Sequence, residues 1–251
     1  MRKLSIIFIL FVSLAVLLCS CGGSSSSSDG ETPPSENITK SISSNGIWEG
    51  TLTELGYGTF DATGLLYNGR IIAISESAGI IYDGNYSMNG DKLSGAVTSY
   101  EIGGGVLATA NINATITERA QIIGAFSTSY GSSGSLSLAY DSLYERDSSL
   151  DLVAGSWASH DPGYSIFVEI GNGGIFGGVD SDSGLIAGSM NILESGYNIY
   201  GVTLNLSNSG ALNGNYTGFA ILCDDYAVND SMIVVVSNSN YILFDFLSRE
   251  E

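Results

Sequence analysis

The chain has 251 residues, with 26 acidic side chains against eight basic ones and a formal charge of −18. So few lysines and arginines exclude the phosphate-neutralising surface that nucleic acid or anionic lipid headgroups require. Only 14% of the residues are charged, while Gly (33) and Tyr (14) are abundant, a composition that suits exposed β-hairpins and not helices.

Arg2 and Lys3 precede an apolar run from Leu4 to Leu18 that only Ser5 and Ser13 interrupt. The run is shorter than the ~20 residues of a membrane-spanning helix, so residues 1–20 are expected to be a signal peptide. Leu18-Cys19-Ser20-Cys21 resembles the lipobox of bacterial lipoproteins: an aliphatic residue, a small residue immediately before the cut, then the lipidated cysteine. Cys21 fits that pattern, whereas Cys19 has Leu17 and Leu18 before it. The resemblance implies cleavage ahead of Cys21, a diacylglycerol on its sulfur and an acyl chain on its new amine, enough chains for a stable anchor. Gly22 stands where such proteins in enteric bacteria carry an inner-membrane aspartate, which implies the outer membrane. Residues 21–45, with serines at 24 to 28 and Pro33-Pro34, read as a disordered tether of root-mean-square span roughly 27 Å. With Cys19 cleaved away and Cys21 lipidated, Cys223 is left alone, so no intrachain disulfide is expected.

Beyond residue 45 the pattern has period two. The stretches 111–118, 135–141, 164–171 and 201–207 alternate residue types as half-buried strands do. Asn68-Gly69, Asp83-Gly84, Asn89-Gly90, Ser183-Gly184 and Asn213-Gly214 read as turns. No stretch keeps a helical stripe. The expected class is all-β: two tandem antiparallel β-barrel or sandwich modules, 46–147 and 148–251, each with about eight strands and each expected to fold alone. "GIWEG" (46–50) and "GSWAS" (155–159) open the two modules, and "DKLSGAV" (91–97) is echoed by "SGLIAGSM" (183–190).

Gly46-x-Trp48 and Gly155-x-Trp157 resemble the first-strand motif of lipocalins. In that family the tryptophan closes one barrel end beneath a basic residue that follows the last strand. The resemblance implies that Arg146 covers Trp48 and Arg249 covers Trp157. The anchored tandem barrels also resemble the lobes of transferrin-binding-protein-type lipoproteins, without that family's length or handle domains. The segment 144–157 is similar to the inter-repeat segment of uncharacterised outer-membrane lipoproteins of gammaproteobacteria, a family with no established activity to carry over.

Few residues carry chemistry. His160 is the single histidine, the chain has no Gly-x-Ser-x-Gly, and a zinc site of histidines and thiolates is excluded by count. Asp180 and Asp182 have the alternate spacing of a calcium loop but lack its remaining donors, so an acidic hairpin tip is preferred and no metal or other cofactor is expected. The Gly-rich runs 101–106 and 171–178 lack the lysine of a phosphate cradle and read as bulges or tight bends. The expectation is therefore a non-enzymatic, lipid-anchored envelope protein of the outer membrane that binds a protein or a small apolar ligand and no nucleic acid. The alternative is an envelope hydrolase, which would need two carboxylates facing one another within roughly 5–9 Å in a pocket.

Overall fold

A computed structural model describes residues 42–102, 105–161 and 163–250. Sixteen strands form two closed antiparallel barrels. The first contains β1 (Gly46–Glu54), β2 (Gly58–Tyr67), β3 (Arg70–Ser75), β4 (Ile80–Asn89), β5 (Lys92–Glu101), β6 (Val106–Thr117), β7 (Gln121–Thr128) and β8 (Ser133–Asp141). The second contains β9 (Gly155–Asp161), β10 (Tyr164–Ile170), β11 (Ile175–Asp180), β12 (Leu185–Ile192), β13 (Tyr200–Ser207), β14 (Gly214–Cys223), β15 (Ser231–Ser237) and β16 (Ile242–Arg249). A 3-10 turn (Ser142–Glu145) and the one-turn helix α1 (Leu150–Val153) join them. Every strand in each barrel pairs with its sequence neighbour, and the last returns to the first. The fold class read from alternation is thus the one observed.

Alternation sends one side chain inward and the next outward. Trp48, Leu66, Ile71, Leu93, Ile122 and Leu136 fill the first barrel. Trp157, Val168, Phe176, Met190, Tyr216 and Met232 belong to the core of the second. An eight-stranded barrel has room inside for side chains alone or for one small ligand. Its tight curvature is set by inward-facing glycines. A Cβ on Gly218 would lie 1.9 Å from the Val235 carbonyl oxygen, and one on Gly84 would lie 2.0 Å from that of Ala96. Asp83-Gly84 is therefore no turn, contrary to the sequence reading; it sits in mid-β4, where the absent side chain lets two backbones close up. Asn68-Gly69, by contrast, is a tight hairpin turn with both φ angles positive (46° and 83°).

In both modules the segment before the first strand plugs the barrel end. The Trp48 indole N–H donates to the carbonyl of Ser44, and that of Trp157 donates to the carbonyl of Val153, each four residues back. Ile42 packs on the first core and Ser44 is buried, its hydroxyl 2.8 Å from that of Tyr86. Ile42–Asn45, which composition assigns to the tether, thus belong to the barrel's closed end. In the second module Leu150, Leu152 and Val153 of α1 perform the same task. The linker connects the two closed ends directly.

The barrels also share a third apolar layer made from outward-facing residues. Ile47, Leu65 and Tyr67 cluster with Ile199 and Ile221, and Ile72, Ile74 and Ile81 cluster with Val235 and Ile242. Tyr67 meets Phe219 edge-on at 5.7 Å. At the border of this layer Arg70 forms a two-pronged pair with Asp83 (3.1 Å), donates to Ser237 Oγ (2.9 Å) and lies 5.3 Å above Phe219. Each barrel is closed in its own hydrogen bonds, yet one outer face of each is core.

Candidate functional site

The two Trp-closed ends differ in what covers the indole, and strand register explains why. Arg249 is the β16 partner of Trp157. Its guanidinium lies 4.3 Å from the indole ring and donates to the carbonyls of Ala154 (2.8 Å) and Leu152 (2.5 Å). The corresponding partner of Trp48 on β8 is Tyr140, which meets it edge-on at 5.1 Å. Arg146 does not cover Trp48, contrary to the lipocalin-based expectation. It falls beyond the end of β8, and donates to both carboxylate oxygens of Asp224 at 2.7 and 2.6 Å, tying the linker to the second barrel. That guanidinium holds the Asp224 carboxyl down at about 2.

The opposite ends of the barrels are open, and cavities run inward from them. The first cavity is about 130 Å³ and is lined by Leu52, Phe60, Tyr82, Ile112, Phe126 and Leu138, with Glu54 at its mouth. Glu54 accepts hydrogen bonds from the hydroxyls of Tyr130 and Ser132. The second cavity is about 370 Å³, within the usual range for small-molecule sites, roughly 300–1,000 Å³. Ile166, Val202, Leu204, Met232, Val234 and Leu243 form its wall, and Ile81 and Ile102 of the first barrel flank its mouth.

The seams of the two barrels also differ. β1 and β8 pair along eight residues, from Ile47↔Asp141 to Glu54↔Gly134. β9 and β16 pair at Ser248↔Ala158 and Arg249↔Trp157, and the Glu250 N–H donates to the Ser156 carbonyl (2.9 Å), all beside the closed end. Toward the mouth no further pair joins these two strands among the described residues. Asp245 stands on β16 on the mouth side of that seam and lines the cavity with Asp180 and Tyr164.

Tyr164 links these acids. Its hydroxyl donates to Asp180 Oδ2 (3.2 Å), and burial, with the charges of Asp180, Asp245 and Asp182 nearby, pushes it up to about 12. Asp180 Oδ1 accepts the backbone N–H groups of Asp182 (2.9 Å) and Gly184 (2.7 Å), the second of which follows Ser183 at φ 70°. Asp180 therefore braces the β11–β12 turn, as the hairpin-tip reading expects, and it also faces the cavity, which that reading missed. Among the described residues no group of three or more His, Cys, Asp or Glu side chains could hold a metal ion.

The remaining candidates lie apart from the cavities. His160 is exposed on the outer face of β9, 3.4 Å from Glu250. Cys223 packs against the inter-barrel layer, and burial pushes its thiol up to about 12. Cys19, Cys21 and the tether through residue 41 lie outside the described residues.

No family model and no curated protein matches the chain. Among solved structures, a Bacteroides fragilis protein provisionally named an outer membrane protein aligns with 82% of this chain and 97% of its own. The two share 9% identity with a TM-score of 0.28, a superposition too loose to speak for position or activity.

Proposed function

We propose that this protein is a non-catalytic, lipid-anchored component of the bacterial cell envelope that binds a small apolar ligand in its second barrel. The observation that carries this reading is the 370 Å³ cavity walled by Ile, Val, Leu and Met in the second barrel. Apolar surface left in contact with water is costly, at about 25 cal/mol per Å², and an apolar ligand would recover that free energy. The hydrolase alternative draws support from Asp180 and Asp245, which line one cavity. Against it, both oxygens of Asp180 already serve the turn and Tyr164.

The anchor rests on the lipobox resemblance at Cys21. The barrels themselves favour a position beside the membrane and not within it. Asn111, Asn113, Ser135, Ser137, Thr203 and Asn205 are exposed on outward faces, whereas a lipid-spanning barrel carries an apolar band there. Cys21→Ala is expected to abolish labelling by radioactive palmitate while Cys19→Ala leaves it intact; palmitate entering the Cys21→Ala protein would refute the assignment.

Ligand binding is tested on the chain from residue 22 onward by titration with N-phenyl-1-naphthylamine, an uncharged apolar fluorophore. Saturable enhancement is expected, and Val234→Phe, which fills the cavity, should weaken binding at least tenfold. Ala110→Leu in the first barrel should leave it unchanged. Circular dichroism separates a filled cavity from a misfolded chain. Equal binding by a folded Val234→Phe protein would place the ligand elsewhere.

A further inference from the structure

The second cavity does not end at its own barrel. Ile81 of β4 and Ile102, just beyond β5, line it together with strands of the second barrel. The apolar surface runs on from one barrel to the other. Ile242 lines the cavity and also packs with Ile81 in the layer between the barrels. Ile102 is fixed relative to β4, because its N–H donates to the carbonyl of Gly79 (2.9 Å) in the turn that leads into that strand. Its side chain is 42% exposed. Ile80, the residue before Ile81, lines the first cavity, so the start of β4 is a wall between the two mouths. Apolar surface that a ligand inside the second barrel would leave bare thus lies at the junction.

Inward, the depth is limited. Tyr164 and Ile170, at the two ends of β10, both line the cavity, six residues apart, or about 20 Å along the strand. A strand tilt of about 40° leaves a depth of about 15 Å. An extended hydrocarbon tail of about twelve carbons fills it, at roughly 1.25 Å per bond. The closed end is plugged by Trp157 and Arg249, so a longer tail has to emerge at the mouth. Resting on the ligand-binding reading above, we infer that the ligand is a single hydrocarbon chain of more than about twelve carbons, held by both barrels. Its inner part fills the second barrel, and its outer part lies across Ile81 and Ile102 of the first. A compact ring system would stop inside the wall and leave Ile102 uncovered. The first barrel therefore supplies part of the site and sets the length of chain that is preferred.

Octaethylene glycol ethers of dodecanol and hexadecanol carry the same uncharged head and differ by four methylenes. Each is used, below its aggregation threshold, to displace N-phenyl-1-naphthylamine from the protein that begins at residue 22. A methylene taken fully out of water is worth about fourfold in affinity, and one that is half covered about twofold. The hexadecyl ether is therefore expected to bind at least about tenfold more tightly than the dodecyl ether. Ile102→Asn should cut that advantage to about threefold or less while leaving the dodecyl ether unchanged. Leu107→Asn should preserve it, since Leu107 is comparably exposed but lines the first cavity. A hexadecyl ether that binds no more tightly than the dodecyl one would overturn the inference. So would an advantage undiminished by Ile102→Asn, or one lost equally in Leu107→Asn. If neither ether displaces the probe, or the probe does not bind at all, the ligand-binding reading itself fails, and the two failures are thereby told apart.

Discussion

Trp157→Ala is expected to destabilise the second barrel by about 3–5 kcal/mol, the usual cost of emptying a large aromatic site. The indole has no exposed surface, its N–H is bonded to Val153 at 2.8 Å, and Arg249 lies on its face at 4.3 Å. Removing the ring opens a void at the one place where β9 and β16 are paired, so the seam loses its closure as well as its packing. Arg249→Ala should cost less, about 1–3 kcal/mol, from a cation–π contact and two charge-assisted bonds. Arg146→Ala should cost about 1 kcal/mol or less, because its ion pair with Asp224 is substantially exposed. Denaturant titration measures all three. The chain has two tryptophans, so Trp157→Ala leaves Trp48 as the sole reporter, and its blue-shifted emission should persist until the first barrel melts. Equal losses from Arg146→Ala and Arg249→Ala would contradict the assignment of roles by register.

Separating the modules should have an equally large effect. Residues 148–251 alone contain every hydrogen-bonded pair of the second barrel, so β-type circular dichroism is expected to survive. The fragment would nevertheless expose Ile221, Val235 and Ile242, which are buried against Ile47, Leu65, Ile72, Ile74 and Ile81 in the intact chain. Burial of each such side chain is worth about 1.5–3 kcal/mol, so the layer as a whole is comparable with the ~5–15 kcal/mol that stabilises a domain. Size-exclusion chromatography with light scattering should find the fragment self-associated, and less stable to heat than the full chain. A monomeric fragment with an unchanged melting temperature would mean that the shared layer contributes little.

The strand pattern and the all-β class could be read from alternation because each half-buried strand repeats with period two. The closed ends were marked by Gly-x-Trp. Three features escaped. Arg146 looked like a counterpart of Arg249, but what covers an indole is decided by the residue opposite it on the last strand, and register puts Tyr140 there. The echo between 91–97 and 183–190 joins strands in different places, the fifth of one barrel and the fourth of the other; a turn followed by a half-buried strand writes the same pattern wherever it occurs. The site itself was concealed in "YILFDFLSRE". The rule that apolar residues point inward would turn Phe244 and Phe246 in and Asp245 out. In fact Asp245 faces the cavity, Phe244 packs toward the first barrel and Phe246 is 40% exposed. A barrel with apolar layers on both sides defeats the rule that the apolar face points in, and no pattern of residue types announces that a seam is short.

One outer surface competes with the cavity for apolar ligands. Phe167, Val179 and Leu185 are adjacent across β10, β11 and β12, each nearly half exposed (45%, 47% and 46%). The measurement that separates the two is photolabelling of the chain from residue 22 onward with an uncharged alkyl diazirine, followed by peptide mass spectrometry. Cavity binding predicts label on Ile166, Leu204, Val234 and Leu243, and its loss in Val234→Phe. Label concentrated on Phe167, Val179 and Leu185, or spread evenly over both barrels, would contradict a ligand site inside the second.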